Sequence, residues 1–135
     1  MDSKQLRIGN WVKCGGEISN VITITIERVH LQGNAILNRY DQIEGIPLTE
    51  DILVKSGFTC NDWIDKDNNI FYEIIIDDKV FGLGTQTDKR VDFYFMDLLY
   101  DKQANLNIQK THIKYVHELQ NIIFALLKKE LTINL

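Results

Sequence analysis

Only one stretch of this 135-residue chain repeats its apolar residues at helical spacing over several turns, and it comes last. From Ile113 to Lys129, Val116, Leu119, Ile123 and Leu126 fall on one stripe, as a helical period of about 3.6 residues requires. Tyr115, Ile122 and Leu127 widen the stripe, and Lys114, Glu118, Asn121 and Lys128 form the wet side. Lys128 and Lys129 close the pattern at the negative end of the dipole, where cations are favoured. Almost everything before this helix alternates or is broken by turns. An α+β fold is therefore expected, with one amphipathic helix closing a sheet.

The first third predicts strands. Leu6 to Cys14 is apolar but broken by Gly9, and Gly15-Gly16 makes a turn. Asn20 to Leu31 predicts one long strand, with Ile22, Ile24 and Ile26 on one face and Thr23, Thr25 and Glu27 on the other. Its β-branched residues suit a pleated surface. Gln32-Gly33-Asn34 is a turn, and Ala35 to Tyr40 predicts a returning strand.

A short helix is predicted over residues 50–56. The Thr49 hydroxyl is a good N-cap. Glu50 and Asp51 suit the positive end of the dipole, and Gly57 suits a left-handed stop. The middle then returns to strands. Ile70–Ile76 and Lys79–Leu83 flank the turn pair Asp77-Asp78. A strand over Arg90–Met96 follows the turn at Thr85–Lys89, with short strands at Leu98–Tyr100 and Leu106–Ile108. Leu131–Leu135 is read as a tail or a last strand.

Pro47 is the only proline, and no Pro/Gly/Ser-rich linker or internal repeat divides the chain, so one domain over residues 1–135 is expected. The hydrophobic fraction of 44% argues against wholesale disorder. The start lacks an apolar run behind basic residues, and the longest purely apolar run, Ile122–Leu127, falls far short of a membrane span. A cytoplasmic protein with no membrane partner is expected. Cys14 and Cys60 are read as free thiols.

Net charge is −4 but uneven. Residues 41–101 hold fourteen acidic groups against five basic ones. Such a middle opposes phosphate-directed binding of nucleic acid and suits a basic partner. Solvated turns account for the same residues.

No catalytic or metal constellation survives inspection. His117-Glu118 opens like a zinc-protease helix, but the second histidine is missing, because Asn121 stands one turn on. His112 and His117 are five apart and point to different sides of a helix. Asp65, Asp67 and Asn69 resemble the first ligands of a calcium loop, yet Ile70 and Ile76 occupy the places that need glycine and glutamate. Cys14 or Cys60 with His117 and Asn121 has no spacing that brings the groups together. Ser56 lacks a nucleophile elbow, and Gly82-Leu83-Gly84 lacks the third glycine of a phosphate loop. No cofactor and no enzymatic activity are expected. The candidate binding surface is Trp11, Trp63, Asp65, Asp67, Asp77, Asp78, His117, Gln120 and Asn121.

Several blocks resemble a known group. They are Leu6-Arg7-Ile8-Gly9-Asn10-Trp11-Val12, Ile46-Pro47-Leu48-Thr49-Glu50, Gly57-Phe58 and Tyr115-Val116-His117-Glu118-Leu119-Gln120-Asn121, running through Phe124-Ala125-Leu126 to Glu130-Leu131-Thr132-Ile133. Together they resemble a family of small uncharacterised proteins of phages, prophages and mobile elements in Bacteroidetes-type bacteria. The resemblance implies a setting and no mechanism. The opening blocks also resemble an SH3-like small barrel, so the N-terminal half is expected to be a small antiparallel sheet or such a barrel. The function expected is a non-enzymatic protein-binding module. Its partner would be a host or phage protein, and a basic one is favoured by the acidic middle. Inhibition of a host defence or nucleic-acid-binding protein would fit, with carboxylates mimicking phosphates. The alternatives are a nucleic-acid-associated accessory protein and an enzyme of unrecognised type centred on His117, Gln120 and Asn121. A homodimer through an uncovered strand edge stays open.

Overall fold

The computed structural model describes residues 1–61, 70–77, 79–85, 93–97 and 112–135. They gather into two compact units, Met1–Pro47 with Tyr115–Thr132, and Leu48–Lys114 with Ile133–Leu135. The α+β class is as the sequence patterning predicts.

The first unit holds an antiparallel sheet of β1 (Trp11–Cys14), β2 (Glu17–Ile24), β3 (Arg28–Leu31), β4 (Asn38–Arg39) and β5 (Ile43–Gly45), ordered β4-β3-β2-β1-β5. Four strands run as a meander, and the fifth returns to pair with β1 after a single 3-10 turn at Tyr40–Gln42. Among the described residues β4 and β5 remain its edges, so closure into a barrel is not shown. The hairpin from β1 to β2 turns at Gly15 and Gly16, whose φ of +57° and +89° suit residues without a Cβ. Leu6, Val12, Val21, Val29, Leu31 and Ile43 form the core over this sheet.

The long strand expected over Asn20–Leu31 is instead a hairpin. Thr25 breaks it: its N–H and hydroxyl donate to the Arg28 carbonyl at 2.9 and 3.0 Å, and its hydroxyl accepts from the Arg28 N–H at 3.0 Å. The Tyr40 hydroxyl ties the turn down by donating to the Thr25 carbonyl at 2.6 Å. A threonine that satisfies local backbone offers an alternative to the ladder. A register shift between Val21 and Thr23 breaks the alternation as well. Ile22 and Ile26 are therefore exposed, Ile26 at 91%, while Val21 takes the core position.

The second unit holds β6 (Thr59–Asn61), β7 (Ile70–Ile76), β8 (Lys79–Thr85), β9 (Phe93–Asp97) and β10 (His112–Ile113), a sheet in the order β10-β9-β8-β7-β6. The β7–β8 hairpin pairs Ile76 with Lys79, as the turn at Asp77-Asp78 predicts, and Asp77 carries a φ of 51°. The strand expected from Arg90 begins at Phe93 among the described residues. The turn at Thr85–Lys89 and the strands proposed at Leu98–Tyr100 and Leu106–Ile108 lie wholly or mostly outside the described residues. Leu131–Leu135 forms no strand, although Leu131 and Ile133 are buried.

The short helix α1 spans Glu50–Lys55. The Thr49 hydroxyl accepts from the Ile52 N–H at 3.3 Å, and Gly57 follows with φ +98°. Thr49→Ala should cost about 1 kcal/mol, the usual loss of a cap. Thermal denaturation of the variant checks this.

The closing helix α2 spans Val116–Leu127, not residues 113–129. Ile113 belongs to β10, and Tyr115 is extended (φ −124°, ψ 153°). The Tyr115 N–H donates to the Glu118 carboxylate at 3.1 Å, and the Val116 N–H to the Ile46 carbonyl at 2.9 Å. Ile113 and Tyr115 alternate like strand residues, and a short apolar run fits either period. At the other end Lys128 adopts the left-handed conformation and donates to the Phe124 carbonyl.

Candidate functional site

The buried face of α2 is not the one apolar spacing predicts. Val116, Leu119 and Ile123 are buried, but His117 and Gln120 are buried with them, and Leu126 is 49% exposed. Two polar side chains thus occupy the inner face, and each needs a partner there.

Gln120 has partners. Its carbonyl accepts from the Trp11 N–H at 2.9 Å, and its amide donates to the Gly9 carbonyl at 3.2 Å. Asn121 continues the clasp: it accepts from Asn10 Nδ2 at 2.9 Å and donates to the Gln5 carbonyl at 3.0 Å. Arg7 adds a two-pronged ion pair with Glu130 and lies 3.9 Å from the centre of the Phe124 ring. That pairing holds the Glu130 carboxyl below its ordinary range. Trp11, Gln120 and Asn121, all singled out from the sequence, are thereby brought together. They spend their polar groups holding the N-terminal segment to the helix.

His117 differs. It is 2% exposed, and its Nδ1 has no hydrogen-bond partner among the described residues. It lies on a cleft of about 490 Å³ together with Met1, Gln5, Ile43, Glu44, Gly45, Pro47, Tyr115 and Glu118. The clasp of Gln120 and Asn121 places Met1 and Gln5 on this cleft, and β5 supplies the opposite wall. Tyr115 stacks on the imidazole, with ring centres 5.6 Å apart and planes 11° from parallel. Gly45 lets the rings close in, since a Cβ there would stand 3.1 Å from His117 Cε1.

Burial holds the His117 imidazole below its ordinary value of 6.5. The Glu118 carboxylate pulls it partly back up, and the N-terminal ammonium pushes it down. The ring is therefore neutral at neutral pH, with one nitrogen able to accept and one able to donate. As pH falls, the unfolded chain takes up a proton at the ordinary value while the folded chain resists. The folded state thus keeps this contribution above the ordinary value and loses it as pH drops toward the lower one. From about pH 7 to about pH 5, the wild type should lose melting temperature faster than His117→Phe. Parallel thermal melts across that range are the check, and identical slopes refute the assignment.

The remaining predicted residues lie elsewhere. Asp77 sits in the β7–β8 turn of the second unit. Trp63, Asp65, Asp67 and Asp78 lie outside the described residues, as does most of the loop read for calcium. Among the described residues, no three His, Cys, Asp or Glu side chains gather where one ion could be held. Cys14 and Cys60 form no disulfide among the described residues, and no helix of the described residues is long and apolar enough to cross a membrane. In the second unit, burial pushes the Tyr72 phenol far up, and a hydrogen bond with Glu50 adds to this. That contact links β7 to the first turn of α1.

The sequence reading missed Gly45, Glu44, Gln5 and Tyr115 as cleft residues. A glycine two places before the only proline was the one available signal, and it has no period to reveal its face. Comparison with protein-family models, curated proteins and solved structures gives no match.

Proposed function

We propose that the protein is a non-enzymatic protein-binding module whose recognition site is the His117 cleft. One observation carries this reading: the His117 side chain, 2% exposed and with Nδ1 unpaired among the described residues, stands on the wall of a cleft. A buried polar atom without a partner costs about 1–3 kcal/mol. A partner whose binding turns the ring to meet it would recover that cost, and the gain would appear as affinity. Gln120 and Asn121 do not support an enzymatic reading, since their amides hold backbone and each other's neighbours. In the setting the sequence resemblance implies, the partner is a host or phage protein encountered in the cytoplasm.

The test is capture from host lysate by the tagged wild type and by His117→Phe in parallel, at low and at moderate salt. The reading expects at least one protein retained by the wild type and lost with the variant. Identical captures under both conditions, with the variant folded by circular dichroism, defeat it.

A further inference from the structure

Burial is the main force against a charge on the His117 ring. Its place in the helix adds a second. His117 is the second residue of α2, where the N–H end of the helix presents partial positive charge. The charged groups that face the ring pull in both directions. On its own helix the Glu118 carboxylate favours a positive charge, and it also accepts from the Tyr115 N–H at 3.1 Å. On the N-terminal segment the Met1 ammonium opposes one. On β5 Glu44 lines the same cleft but is exposed, so water and salt screen it. Tyr115 offers the face of its ring, whose attraction for a cation is weak beside the loss of water.

Protonation also changes what the ring needs. The neutral ring can leave Nδ1 as a bare acceptor, idle but uncharged. The imidazolium carries N–H at both nitrogens, and Nδ1 lies out of reach of water and of any partner among the described residues. A cationic donor left there costs more than an idle acceptor. The ring lines the cleft, so the nearest water is in it. Rotation about the Cα–Cβ bond into the cleft is the short route to solvation. That rotation breaks the Tyr115 stack and withdraws Cε1 from Gly45, where a Cβ would stand only 3.1 Å away. The backbone is held independently of the ring. The Val116 N–H donates to the Ile46 carbonyl at 2.9 Å, and the Leu119 N–H to the Tyr115 carbonyl at 3.3 Å.

We propose that His117 is a proton-operated latch on this cleft: uptake of one proton turns its ring out of the wall, parts it from Tyr115 and rearranges the lining between α2 and β5. Resting on the binding role proposed above, the latch gives that site a control, because a partner needs the same ring turned to meet it. Mild acid thus readies the cleft, and neutral conditions close it.

The experiment is a titration of the full chain from about pH 8 to about pH 5, followed by NMR of the imidazole ring protons assigned through the backbone. A proton over an aromatic face is shifted upfield. The difference between the His117 signals of the wild type and of Tyr115→Leu, which keeps apolar bulk but has no ring, therefore reports the stack. The difference should be clear at the alkaline end. It should be lost in step with proton uptake by His117, below the ordinary 6.5, while circular dichroism stays unchanged. A difference that survives proton uptake means that the charge is housed in place, and it overturns the latch. So does a difference absent at every pH, or a ring that takes up no proton until the chain unfolds. None of these outcomes touches the lysate capture at neutral pH, which tests the binding role by itself. Conversely, a latch seen here beside identical captures leaves the latch standing and removes the binding role.

Discussion

Gln120→Ala should lower the unfolding free energy by roughly 2–4 kcal/mol. The side chain is 2% exposed and serves two backbone groups at once, the Trp11 N–H and the Gly9 carbonyl. Truncation leaves both without a partner where water has little access, and it opens a cavity as well. Gln120→Met separates the two effects, because it fills the space but cannot bond. Chemical denaturation followed by tryptophan fluorescence measures both variants. Methionine should recover only part of the loss. If it restores wild-type stability, packing rather than hydrogen bonding holds the helix to the N-terminal segment.

Gly45→Ala is the second large effect. A Cβ on Gly45 would stand 2.6 Å from both Cδ1 and Cγ of Tyr115. These atoms lie at the base of the ring, so a rotation of its far end does not relieve them. The ring also stacks on His117 and would have to leave it. Overpacking of this kind costs about 1–3 kcal/mol. The loss should shrink in a Tyr115→Ala background, where only the 3.1 Å approach to His117 Cε1 remains. A double-mutant cycle of Gly45→Ala with Tyr115→Ala measures this directly. Additive losses would show that Gly45 matters for another reason. The same alanine should also weaken a partner bound at the cleft, because a displaced Tyr115 changes its wall.

Sequence patterning read some elements well, for identifiable reasons. Thr49, Glu50 and Gly57 mark the two ends of α1 by local chemistry that does not depend on distant residues. Gly15-Gly16 and Asp77-Asp78 mark hairpins in the same local way. The reading failed where apolar residues could serve either period. Ile22 and Ile26 looked like a core face, but the Thr25 turn and the register shift put them in solvent. Ile113 and Tyr115 looked like the first turn of a helix, but they lie in a strand and a cap.

The candidate site divides in the same manner. Trp11, His117, Gln120 and Asn121 were singled out from residue type alone. Their roles were not legible, because Gln120 and Asn121 find their partners more than a hundred residues away. Gly45 and Tyr115 come together across a shorter but still long separation in the chain.

What the sequence by itself determined is the α+β class, the closing amphipathic helix and the caps and turns, all set by interactions within a few residues. Only the tertiary structure decided that His117 lines a cleft with Nδ1 unpaired among the described residues while Gln120, three residues on, is bonded through both its amide oxygen and its amide nitrogen. Both lie on the buried side of one helix, and helical period cannot separate them. The difference lies in what the N-terminal segment and the β5 edge bring opposite each side chain, and contacts that distant leave no mark on local patterning.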